Sequence, residues 1–580
     1  MVSFLVIALA IPGALANERV IINSGNWVDV YSGMLYARLD GQQSNFLTST
    51  RHATIIANSL PSSTTSIEVL SSRNQPFITG YTSVLANAGF NDVRELAPAN
   101  LNIALLDELP GITRYIIIDS TYGYNAVSVA PFAVLANYYV IFANSNNINQ
   151  VANVLADRQV TDIIIYGHTD REVRTALQEY NPTIINTGDR FDNNIEIVER
   201  YQQIHRQIHG EPRKQAILTN GEFLESSMFT GADPVLFIGF ANVPAQVQQY
   251  IERSDLEVGT LVGNELIGTA TFIRRQTGLS VFVKFGQGAR TPQGAISQVE
   301  DLDRFPIPRF DLDLSIVAAV INTATNSLEV TYQNNAPIAT YFRNILLRLM
   351  IDDTSTIIPD ETASTFIDGN SFKTMVYPLR DFDGNPINIQ GETRELEVNT
   401  IYGESPRSLE QSLEYIIQVE EVSVSDESDI DIVELVYNSR REGFYVDIKN
   451  TADVDTFVVV ELIDLDVAGE ILSFSSETPV RIRPGRTTSI YIQTTLTEDD
   501  EVNNQNIRVR AYYGERENSL IKIKEAVFEF KYQAADFTYY ILITLIIVII
   551  LLFFYRKKCE NCGYKNPAIR KTCKKCKHKL

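Results

Sequence analysis

The chain has 580 residues, with 49 Lys/Arg against 71 Asp/Glu and four cysteines. A net charge of −22 excludes non-specific nucleic-acid binding for the bulk of the protein, and the length calls for several domains. All four cysteines lie at or beyond residue 559, so everything before them folds without disulfides and relies on apolar cores.

Residues 1–16 (MVSFLVIALAIPGALA) form a short apolar run ending in Ala14-Leu15-Ala16. This small-x-small ending reads as a signal peptide cleaved before Asn17, although no basic residue lies near the start. The alternative is an uncleaved N-terminal anchor.

From there the chain repeats itself. Val20-Ile21-Ile22-Asn23-Ser24, Ile116-Ile117-Ile118-Asp119-Ser120 and Ala216-Ile217-Leu218-Thr219-Asn220 start about 96 and 100 residues apart. Each is an apolar run of strand length followed by a polar turn. Helical patterns come next over 47–60, 142–155 and 238–251, and further strands at 163–167 and 260–263. Strands alternating with helices predict three parallel-sheet α/β modules at 17–110, 111–213 and 214–300.

Module two ends in TIINTGDRFDNNIEIVERY, with Gly188-Asp189-Arg190-Phe191 at its centre. The order of elements over residues 17–290 resembles the type-2 cell-wall-binding repeat of secreted bacterial and archaeal surface proteins. That family's pattern is a strand, a small-residue helix, a strand near an apolar-Gly-Gly, and a Gly-x-Asp-Arg-aromatic segment. Here Gly167-His168 replaces Gly-Gly, and modules one and three lack the last segment. The resemblance implies three modules about a pseudo-threefold axis and a role in holding surface proteins on anionic wall polymers. It makes Asp189, Arg190 and Phe191 the ligand-binding candidates, with Arg190 able to hold an anionic glycan oxygen bidentately. The competing expectation is that Arg190 pairs with Asp189, Asp192 or a neighbouring module and only supports packing.

Residues 301–308, with Pro306 and Pro308, read as a linker. Beyond them the apolar residues alternate, as in Ser327-Leu328-Glu329-Val330-Thr331-Tyr332, which predicts two β-sandwich (immunoglobulin-like) domains at 309–423 and 428–533. An echo supports two copies: Tyr402-Gly403-Glu404-x-x-x-Ser408-Leu409 recurs 111 residues later as Tyr513-Gly514-Glu515-x-x-x-Ser519-Leu520. The echo reads as the last hairpin of each copy. The arrangement resembles the spacers of archaeal surface-layer and adhesion proteins.

Residues 537–555 (FTYYILITLIIVIILLFFY) carry no charge, Gly or Pro and match a bilayer's hydrocarbon core as a helix. Ten Lys/Arg and one Glu560 follow, so the predicted tail at 556–580 is near +9 against −31 for everything before it. This is the positive-inside pattern, with the N-terminal region outside and the tail cytoplasmic. Within the tail, Cys559, Cys562, Cys573 and Cys576 stand as Cys-x2-Cys-x10-Cys-x2-Cys. Two such knuckles suit tetrahedral Zn2+ and resemble a short zinc ribbon; a redox dithiol pair is the competitor.

Other chemistry is sparse. His205 and His209 lack the Glu of a metalloprotease helix. Asp381-x-Asp383-x-Asn385 with Glu392 has Pro386 where a calcium loop needs Gly, and reads as a turn. No nucleophile elbow or phosphate-binding loop is present. The expectation is a non-enzymatic, membrane-anchored cell-surface protein, S-layer or envelope associated. Its partners would be the lipid bilayer, an envelope polysaccharide or surface-layer protein, and a cytoplasmic partner of the tail. The alternatives are a receptor signalling through the tail and a glycan-acting ectoenzyme.

Overall fold

The computed structural model describes residues 18–263, 266–284, 288–289, 300–301, 303–360, 363–476, 478–517, 519–532, 556–567 and 570–580. The expected signal sequence at 1–16 and the apolar run at 537–555 lie outside them. Among the described residues no helix is long and apolar enough to cross a membrane.

Three four-stranded sheets follow one another in the first half of the chain, and each has the strand order second, first, third, fourth. All neighbours within these sheets are parallel. The first strands, Glu18–Asn23, Arg114–Ile118 and Gln215–Thr219, are each flanked on both sides. Ile21, Ile117 and Ile217 therefore all lie in the equivalent central strand, Ile217 one place earlier in register than the other two, and are essentially inaccessible to solvent. An apolar run without alternation is what a strand covered on both faces requires.

The helices begin later than the sequence pattern suggests, at His52, Ile148 and Ala245. The reason is the same in every module. The amides of Leu47, Ala143 and Ile238 still donate to the central strand, at Ile22 (2.9 Å), Ile118 (2.9 Å) and Thr219 (3.0 Å), so these residues extend the sheet before the chain turns.

The modules are clasped by a repeated asparagine. Asn102, in helix Leu101–Glu108, donates to Ser32 Oγ (3.0 Å) and the Val140 carbonyl (2.9 Å) and accepts from the Phe142 amide (3.2 Å). Asn194, in helix Arg190–His209, repeats the set with Ser128 (2.8 Å), Val235 (3.0 Å) and Phe237 (2.8 Å). Each clasp joins the last helix of one module to the second strand of the next. A buried amide with all these bonds made fixes register as well as adding stability. One continuous apolar cluster from Val20 to Ile307 makes the three modules a single head.

Residues 301–308 are not a free linker. Arg304–Pro306 forms a strand antiparallel to Phe223–Glu225 of the third module, and Phe305 and Ile307 are buried in the head core. The two prolines alternate with these apolar residues, so an edge strand carries apolar residues inward with its missing N–H groups tolerated.

Two all-β domains follow. In the first, the sheet Phe372–Pro378, Ser327–Asn334, Leu314–Asn322, Glu420–Val422 faces one built around Thr340–Ile351 and Arg394–Gly403. In the second, Ile430–Asn438, Gly443–Asn450, Thr487–Gln493 faces a sheet built on Thr456–Val467 and Asn506–Gly514. Each has its own apolar core. Thr400, the one polar residue on its strand's apolar face, is satisfied by Asn344, which also bonds Tyr332 and Tyr377 at 2.8 Å. Asp381 caps a tight turn through the amides of Asp383 (3.0 Å) and Asn385 (2.8 Å), as the hairpin reading expects.

Candidate metal centre and the buried junctions

The Gly-Asp-Arg-aromatic segment is a helix start. Gly188 has φ +72°, and Asp189 is the N-cap of helix Arg190–His209, accepting from the amides of Phe191 (2.9 Å) and Asp192 (3.1 Å). Phe191 is buried in the head core. Arg190, at the first helical position, points out of the head into the first sandwich.

There it meets two glutamates of the echo hairpin. Arg190 Nε donates to Glu404 Oε1 at 2.5 Å, and Arg190 Nη2 is ion-paired with Glu410. The guanidinium carbon lies 4.0 Å from the Tyr124 ring centroid and 4.6 Å from that of Phe191. The arginine side chain is only 8% exposed. Asp189 is drawn into the same contact, because Ser405 Oγ (2.7 Å) and Ser408 Oγ (2.5 Å) both donate to its Oδ2. The Glu410 carbonyl accepts from the amides of Ala241 (2.8 Å) and Asn242 (2.7 Å). The ligand-facing role expected of Arg190 and Phe191 thus finds no open surface here: both side chains are enclosed by protein. The packing expectation matches the geometry better, with Glu404 and Glu410 of the first sandwich as partners in place of Asp189, Asp192 or a neighbouring α/β module.

The second copy of the echo does the same work one domain later. Ser519 Oγ (3.0 Å) and Arg516 Nη2 (3.1 Å) donate to Glu329 Oε2 of the first sandwich. Ser519 and Arg516 occupy the places of Ser408 and Ser405. Across this junction Lys373, from the first sandwich, pairs with Glu461 at 2.6 Å and lies 4.0 Å from the Tyr512 ring centroid. Both junctions therefore combine serine donation to a buried carboxylate of the preceding unit with a buried cation of that unit held by the next. The glycine of the echo is explained too. A Cβ at Gly403 would stand 1.6 Å from the Ser408 carbonyl oxygen, and one at Gly514 would stand 2.5 Å from that of Ser519.

Electrostatics at the first junction is unbalanced, with Asp189, Glu404 and Glu410 around one guanidinium. Burial pushes the Glu404 pKa up to about 7 against the pull of Arg190, with Glu410 adding to the rise. Burial raises Glu410 as well. Burial alone would lower Arg190, but the charges of Glu404 and Glu410 outweigh it and leave the guanidinium firmly protonated.

In the tail, strands Arg556–Lys558 and Lys565–Pro567 pair and bring the two knuckles together. The four cysteine sulfurs lie within 4.8 Å of one another, with Cys559–Cys576 at 3.6 Å and Cys562–Cys573 at 3.5 Å. A tetrahedral ion at about 2.3 Å from each thiolate needs sulfur–sulfur edges of about 3.8 Å, close to these. The Asn566 amide group and the Lys575 amide both approach Cys573 Sγ at 3.4 Å, as outer partners of a metal thiolate do. Gly563, after the first knuckle, has φ +69°. The cluster is thus shaped to hold a metal ion. The ring centroids of half-buried His205 and exposed His209 lie 4.4 Å apart with the rings tilted by 40°, away from these cysteines in sequence and gathered with no further ligand among the described residues.

Two outcomes follow from the first junction. Arg190→Ala removes the cation paired with buried Glu404 and Glu410 and should destabilise the head–sandwich contact by about 3–5 kcal/mol, read as a separate early transition in calorimetry. The second outcome concerns pH. Glu404 has a raised folded pKa, so the docked form holds a proton that the detached form releases, and stability falls as pH rises from about 4.5 to about 7. Glu404→Gln should shrink that slope in melting temperature measured between about pH 5 and 7.5. An unchanged slope would remove Glu404 from the account.

No family model matches the chain, and no curated protein matches it. Among solved structures it is similar in part to Cwp6 from Clostridium difficile (13% identity, TM-score 0.35, 45% of this chain and 44% of that one). It is likewise similar to Cwp8 from Clostridium difficile (13% identity, TM-score 0.35, 46% and 48%). The YadV chaperone shares 10% identity with a TM-score of 0.14 over 38% of this chain and 99% of its own. The chain spans less than half the length of the two Clostridium difficile proteins.

Proposed function

We propose that the protein is a non-enzymatic, membrane-anchored component of the cell surface. In this reading the α/β head is held outside the cell at a set orientation by two immunoglobulin-like spacers, and a zinc ribbon closes the cytoplasmic end. The observation that carries the reading is the pair of buried junctions. Side chains of the kind that could make a polar site, Arg190, Asp189, Glu404 and Glu410, are spent on joining domains, and the same hairpin is used again between the sandwiches. A chain that serves to place its head at a fixed distance and angle needs such joints; an enzyme with a flexible tether does not. The head's partner would be an envelope polysaccharide or a surface-layer protein, met by surfaces other than the buried Arg190.

Anchoring rests on the uncharged run at 537–555 and the basic residues after it. Protease added to intact cells should remove the region 17–536 and leave a tail fragment with the membrane. Full protection of that region would contradict the reading. For the tail, one Zn2+ per chain should bind through four thiolates, and Cys573→Ser should abolish binding. Four thiols that alkylate equally fast with and without zinc would argue against a metal.

A further inference from the structure

The tail's charge is large, exposed and uncompensated. All ten Lys and Arg side chains of 556–580 are exposed, and no ion pair among the described residues involves any of them. The only acidic side chain of the tail is Glu560. Four thiolates and a divalent metal together contribute about −2, so ten cations less one carboxylate less two leaves about +7 when the metal is bound.

The fold concentrates this charge rather than spreading it. Lys558 stands directly opposite Lys565 across the two-stranded ribbon. Like charges at such a position repel, and no carboxylate of the tail lies in register to relieve them. The metal knuckles fix the ribbon, so the cations cannot simply move apart. A structure that holds cations together in this way gains from an anion supplied by something else.

Position says what supplies it. The strand Arg556–Lys558 starts one residue after the apolar run ends at Tyr555, with no linker between. If that run crosses the bilayer, the ribbon is at the headgroup level. We propose that the metal-bound ribbon is a binding site for anionic lipid headgroups, its lysines and arginines contacting the phosphates of the leaflet that the preceding run enters. The inference rests on the membrane-anchored reading above. Clustered basic residues at an anionic surface gain roughly 1 kcal/mol each, lost beyond a Debye length. The ribbon adds something that a disordered basic flank lacks: a shape that depends on the metal. The contact should therefore be tighter in the metal-bound protein.

The test uses the full-length protein with zinc, reconstituted into vesicles of phosphatidylcholine alone or with about 30% phosphatidylglycerol, a composition that sets a strong surface potential. Two readouts separate the claims. Retention in the vesicles after alkaline carbonate washing reports the anchor. Acylation rates of Lys557, Lys565, Lys571, Lys574 and Lys575, read by mass spectrometry, report the headgroup contact. The expected result is retention in both vesicles, with acylation slowed about threefold or more only in the anionic ones and restored by about 0.5 M salt. Cys573→Ser should lose much of that protection. Retention with equal acylation in both vesicles overturns the headgroup site and leaves the anchor standing. Loss of the protein on washing overturns both. Protection that appears only when RNA or DNA is added, and not with anionic lipid, also overturns the proposal.

Discussion

Arg190 is shared by Glu404 and Glu410 of another domain in a contact nearly closed to solvent, and the placing of the head on the first sandwich follows from that arrangement. Burying a guanidinium and two carboxylates is expensive, and the mutual attraction repays it only with good geometry. In this protein the geometry is supplied by elements fixed on both sides. Asp189 caps the helix that presents the arginine, while Ser405 and Ser408 tie the glutamate hairpin to that same cap. Tyr124 provides an aromatic face for the cation. Well-packed apolar residues would hold two surfaces together as firmly, but they would tolerate sliding. A guanidinium hydrogen-bonded to Glu404 and ion-paired with Glu410, with a capped helix beneath it, favours one register over sliding.

The second junction shows that this is a method of joining and not an accident of one surface. Ser408 and Ser519 are equivalent, and each reaches a buried carboxylate of the domain before it. The acceptors come from unrelated elements, a helix cap in the head and a strand in the first sandwich. What has been kept is the hairpin that plugs in; the socket differs. Lys373 at the second junction lacks the planar fork of Arg190 and meets one glutamate in place of two. The head also touches the second sandwich directly, with Arg171 on Asp500 (2.6 Å) and Arg174 on the Ala468 carbonyl (2.8 Å), so the two joints and this third contact tie the three bodies to one another.

Much of this is legible in the sequence, and the failures have physical causes. The central strands are readable because strands covered on both faces need unbroken apolar runs such as Ile116-Ile117-Ile118. The cysteine cluster is readable because its ligand spacing is itself the geometry. Helix starts read too early because Leu47, Ala143 and Ile238 look like helix residues yet still bond to a neighbouring strand. The strap at 304–307 reads as a linker because prolines flank its two buried apolar residues. The echo is visible as a repeat, but its use is not. Its acceptors, Asp189 and Glu329, lie about two hundred residues away, and nothing local marks them. Arg190 shows the same limit: one residue type serves equally for an anionic ligand and for a carboxylate of the next domain.

The central claim is that the head and the first sandwich are held in one orientation. It is tested most directly by spin-label distances across the junction, which the absence of cysteine before residue 559 makes straightforward. Labels at Ser62→Cys in the head and Gln390→Cys in the first sandwich both occupy exposed positions. A fixed junction predicts a single narrow distance distribution. A broad or multiple distribution in the intact protein would show domains that swing on a hinge, and would contradict a junction fixed by Arg190 and the echo hairpin.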